Sequence, residues 1–103
     1  MIVVARLQAI SGKEKEVEGA LKDMIAKVEE EEGTQTYTLH RNQKDSTVFL
    51  FYEKYQDKAA LDYHTKTPYF KELFATIGPL MSGEPIVETF DELGGIKNKT
   101  CCQ

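Results

Sequence analysis

Two histidines, His40 and His64, are the imidazoles of this sequence. An imidazole in ordinary surroundings changes charge near pH 6.5, so a base or acid working at neutral pH is sought here first. His64 opens a His-x-x-x-Pro-x-Phe spacing with Pro68 and Phe70. It is the first choice for a proton acceptor, against the plainer role of packing beside Pro68. His40 alternates with Thr36 and Thr38 and would share their face of a strand, turned to solvent or to an interface. Glu53 stands in the run TVFLFYEKY, two and four positions from Phe51 and Phe49 and two from Tyr55. A carboxylate among aromatic rings is costly unless paired. It can orient a histidine or a substrate hydroxyl, or it can form a structural bridge to Arg6 or Arg41. Tyr37, Tyr52, Tyr55 and Tyr63 carry phenols able to donate hydrogen bonds into a pocket, and Phe70 and Phe74 could form its apolar wall. All six also suit a core or an interface.

The sequence holds no glycine-rich phosphate loop, no nucleophile elbow and no cluster at metal-ligand spacing, so no metal site is expected. These absences fit a cofactor-free enzyme and a non-enzyme equally. The adjacent pair Cys101-Cys102 closes no useful loop and reads as two reduced thiols on a tail. The formal net charge of -4, with basic residues scattered among acids, argues against nucleic acid. Met1 to Ala5 is apolar but Arg6 interrupts it, so neither a leader nor a membrane span is read there and the expected location is the cytoplasm.

The elements that must position these side chains follow from periodicity. Residues 2–10 suit a central strand, with Val3, Ala5, Leu7 and Ala9 on one face and Ile2, Val4, Arg6 and Gln8 on the other. Ser11 and Glu14 suggest a capping box opening a helix from Lys13 to Glu32. Its apolar stripe is Val17, Ala20, Leu21, Met24, Ile25 and Val28; the run Glu29 to Glu32 would end it in solvent, with Gly33 as the stop. Residues 34–41 and 47–55 read as a hairpin. Asp57 caps a second helical region carrying Ala60, Leu61 and His64; Pro68 interrupts it, and a further helix presents Phe70, Leu73, Phe74 and Ile77. Residues 85–90 make a last strand. The order strand, helix, strand, strand, helix, strand predicts an α+β domain of the ferredoxin-like βαββαβ kind over residues 1–92, with residues 93–103 as a flexible or docking tail.

Helices cover one face of such a sheet. Either parity of the hairpin is apolar, Val48, Leu50 and Tyr52 or Phe49, Phe51 and Tyr55, so the bare face calls for a second copy and a homodimer.

The progression Gly12-Lys13-Glu14, Glu32-Gly33, Tyr37 to Arg41, Tyr52 to Tyr55, Ala60-Leu61 and His64-x-x-x-Pro68-x-Phe70 resembles the antibiotic biosynthesis monooxygenase domain family over residues 2–90. The resemblance implies dimeric α/β barrels with a pocket between sheet and helices in each subunit. Several members oxidise quinols or anthrones with molecular oxygen and without metal, flavin or haem. It therefore implies a small aromatic substrate, oxygen as co-substrate, and no cofactor. Haem-degrading relatives carry an axial histidine where this chain reads Tyr69 to Ala75, which argues against haem; Tyr55 stands where many members have tryptophan. Three functions follow from this reading. One is a cofactor-independent monooxygenase with His64 and Glu53 in catalytic roles, and His40, Tyr52, Tyr55, Tyr63, Phe70 and Phe74 against the substrate. The others are a non-catalytic ligand-binding or stress-response module, and an isomerase or degrader of a small oxygenated metabolite.

Overall fold

The computed structural model describes residues 1–96; the Cys101-Cys102 pair lies outside the described residues. The chain runs β1 (Ile2–Gln8), α1 (Glu14–Val28), β2 (Thr34–Arg41), β3 (Val48–Tyr55), α2 (Lys58–Thr65), α3 (Pro68–Ile77), a single 3-10 turn (Gly78–Leu80) and β4 (Ile86–Phe90). The sheet order is β2-β3-β1-β4, with every neighbouring pair antiparallel. This is the ferredoxin-like arrangement expected from the element order. β1 is a central strand, as its two-sided apolar character requires.

The register sorts the side chains. Val3 faces Glu53, Ala5 faces Phe51 and Leu7 faces Phe49, so Phe49, Phe51, Glu53 and Tyr55 point with the β1 core residues toward the helices. On β2, Tyr37 pairs with Glu53 and Leu39 with Phe51, on that same face. The core joins Leu7, Phe49 and Phe51 to Val17, Leu21, Met24 and Val28 of α1 and to Leu73 and Ile77 of α3. Each such side chain contributes about 1.5–3 kcal/mol on full burial.

Local chemistry explains the breaks. Asp57 accepts the amide hydrogen of Ala60 and caps α2, as read from the sequence. Thr67 caps α3 by accepting from the Phe70 amide, and Pro68 occupies the first turn, where its missing N–H costs nothing. Two expectations fail at α1. Lys13, not Ser11, is the N-cap and offers no side-chain bond, while Glu14 Oε1 accepts instead from the Gly12 amide at 2.6 Å. The helix also stops at Val28 rather than at Glu32, and the chain turns through residues 29–33. Gly33 serves a different need from a helix stop. A Cβ there would lie 2.5 Å from the Ala60 Cβ, so its bareness lets the start of β2 press against α2.

Candidate active site

A cavity of about 80 Å³ lies between the sheet and the helices. Its floor is Val3, Ala5, Phe51 and Glu53, its roof Leu61, His64, Phe70 and Phe74, and Pro85 and Val87 line it at the β4 side. Among the described residues lining it, His64, Glu53, Tyr37 and Thr65 carry the polar side chains.

His64 is 2% exposed. Its Nδ1 lies 3.2 and 3.1 Å from the two oxygens of Glu31. Glu31 is itself buried, and it accepts two further hydrogen bonds, from Tyr69 Oη to Oε2 and from Thr34 Oγ1 to Oε1. An acceptor-only carboxylate at Nδ1 places the hydrogen there and leaves the Nε2 lone pair free. Nε2 has no partner among the described residues, yet no side-chain nitrogen or oxygen there is both fully buried and unpaired. His64 lines the cavity, so Nε2 is the ring nitrogen left for a ligand there. Thr67 Oγ1 donates to the His64 carbonyl at 2.8 Å, and Tyr37, Tyr55 and Phe70 surround the ring with centroids 5.2–5.6 Å away. The imidazole is held at both backbone and ring. This is the arrangement by which a carboxylate orients a histidine for proton transfer.

Glu53 sits across the cavity. Tyr55 Oη donates to its Oε1 at 2.6 Å. Burial pushes the Glu53 carboxyl above the usual range, opposed by the Tyr55 bond and by the charge of a protonated His64. Burial also raises the Tyr37 and Tyr55 phenols well above their ordinary value, with the Glu53 charge adding to it; both stay protonated donors. Tyr69 is pushed up to about 12 by burial and by its bond to Glu31.

The structure thus brings His64, Glu53, Phe70 and Phe74 to one cavity, with Tyr55 behind Glu53. It separates the other three candidates from them. His40 and Tyr52 face the opposite side of the sheet, where β2 and β3 alternate outward, and His40 Nε2 pairs with Thr38 Oγ1 at 2.8 Å. Tyr63 is 62% exposed, one position from His64 and so rotated away from the cavity. Within the chain, among the described residues, Glu53 makes no bridge to Arg6 or Arg41: Arg41 pairs with Glu18 of α1, and Arg6 projects from the outer face.

Glu31 is the residue the sequence reading misplaced. Inside a run of four acids it reads as solvated, and Glu29, Glu30 and Glu32 are indeed exposed. The signal lay in the stripe Val17, Leu21, Met24, Val28: its alternating steps of four and three land next on position 31. The carboxylate continues the buried face past the end of the helix.

The family model for antibiotic biosynthesis monooxygenases matches residues 1–76. The chain belongs to that family. A crystal structure of a family-named protein from Caulobacter crescentus CB15 superposes with a TM-score of 0.85 at 36% identity, covering 90% of this chain and 89% of that one. A Pseudomonas aeruginosa protein does so with a TM-score of 0.85 at 26% identity, covering 90% and 93%. An uncharacterized Synechocystis protein is 29% identical over 85 residues, which are 82% of this chain; the match spans 57% of that relative's length. Among the described residues of this family member, no helix is long and apolar enough to cross a membrane.

Proposed function

We propose that the protein is a cofactor-independent monooxygenase acting on a small quinol-like aromatic. The observation that carries this reading is the buried His64, which lines an apolar cavity and has its Nδ1 fixed on Glu31. Family membership supports the reaction class.

In this reading Nε2 takes the proton of a substrate hydroxyl. The resulting phenolate is a far stronger reductant toward oxygen. A ring carbon bonds to one oxygen atom, and the His64 proton passes to the peroxide so formed. The same carbon then loses its own hydrogen as a proton while the O–O bond breaks. Quinol and oxygen become hydroxyquinone and water, the four electrons coming from the substrate. The Tyr37 phenol, kept protonated, is suited to steady the anion, and the apolar wall strengthens each such interaction.

A second copy is proposed to cover the outer sheet face. β4 leaves Ile86 and Phe90 half exposed there, on the same face as Tyr52, and a homodimer would bury them.

The test is oxygen consumption with a quinol panel in chelator-treated buffer. Wild type consumes oxygen. His64→Ala loses the activity with its circular dichroism unchanged. Glu31→Gln lowers kcat by about 10–100-fold, since the ring loses its orienting charge. Absence of uptake across the whole panel would sink the reading.

A further inference from the structure

We propose that Glu53 makes the cavity selective for uncharged ligands that carry a hydroxyl at the edge facing that carboxyl, and closes it to anionic ones. The proposal rests on the oxygenase reading for the identity of the site and narrows its substrate class.

Glu53 is 6% exposed and lines the cavity. Its Oε1 is taken by Tyr55, but Oε2 has no partner among the described residues. Glu53 lines the cavity, so Oε2 is the carboxyl oxygen left for a ligand there. A ligand hydroxyl placed against Oε2 completes the pairing. A methyl ether at the same edge leaves a buried oxygen facing carbon, and a site built for a hydroxyl rejects the analogue without one.

Charge acts in the same direction. Among the described residues lining the cavity, none is Lys or Arg. The charge of a protonated His64 is already matched by Glu31. A ligand carboxylate would lose its hydration without gaining a cation, and would sit near two protein carboxyl groups.

Anaerobic titration calorimetry separates the two ideas, because it reads binding without turnover. The probes are methylhydroquinone, its dimethyl ether, and gentisate, the hydroquinone that bears a carboxylate. Wild type is expected to bind the diol at least about 10-fold more tightly than either analogue. Glu53→Leu combined with Tyr55→Phe removes both partners of the buried bond and should bring the diol and ether to within a few-fold of each other. Gentisate within about 10-fold of the diol, an unchanged ratio in the double variant, or no diol binding would each overturn the proposal. If the variant does not fold, the wild-type comparison alone decides. Diol binding without oxygen uptake would remove the oxygenase reading and leave this one standing. Equal oxygen uptake with gentisate would do the reverse.

Discussion

Two buried carboxyl groups serve the site, Glu53 in the cavity lining and Glu31 behind His64, and each leans on a tyrosine: Glu31 on Tyr69, Glu53 on Tyr55. Their surroundings differ. Glu31 accepts three donors, whereas Glu53 accepts one and is governed by burial, which raises its proton affinity. This has a thermodynamic sign. The folded chain holds the Glu53 proton to higher pH than the unfolded chain does. Its contribution is therefore fully present below the ordinary carboxylate value of 4.5 and is lost as pH rises through the raised folded value. Urea denaturation should show wild type losing stability relative to Glu53→Gln as pH climbs across that window. A difference that is flat or grows in favour of wild type would contradict the burial argument. Residue by residue, the sequence disclosed less than the fold required. His64, Glu53, Phe70 and Phe74 could be singled out by type and spacing. Which hairpin parity faces the helices could not, since both are apolar, and so residue type alone assigns His40 and Tyr52 to a cavity they do not reach.

At the scale of elements, the order and extents of the strands were readable because alternation and apolar stripes persist over many residues. The connection between α1 and β2 was not, because its geometry depends on α2, which arrives more than twenty residues later. Gly33 shows the dependence: no local rule reveals that Ala60 will lie against it. Gly33→Ala should destabilise the fold by about 1–3 kcal/mol through overpacking at that contact. Ala60→Gly, combined with it, should restore much of the loss. Denaturation midpoints for the two single variants and the pair measure the coupling, and strict additivity would show that the strain lies elsewhere. The same contact bears on chemistry, because Gly33 follows Glu31 by two residues. A displaced β2 start would carry the carboxylate away from His64.

At the scale of the molecule, the sheet divides labour between its faces. One holds the cavity under the helices; the other, among the described residues, presents half-buried Val4 and Leu50 and exposed Tyr52, Ile86 and Phe90. Sedimentation at micromolar concentration should find the wild type as a dimer. Leu50→Asp should yield a monomer of unchanged helicity. A wild type that sediments as one chain would show that the outer face needs no partner. The cavity's size carries a further consequence. At about 80 Å³ it offers roughly half the room of the about 150 Å³ space that accommodates one benzene ring. Val87 on its β4 side is 59% exposed, so a guest wider than that room would extend outward along β4. Such a guest would keep one edge in water while the other rests among Leu61, Phe70 and Phe74.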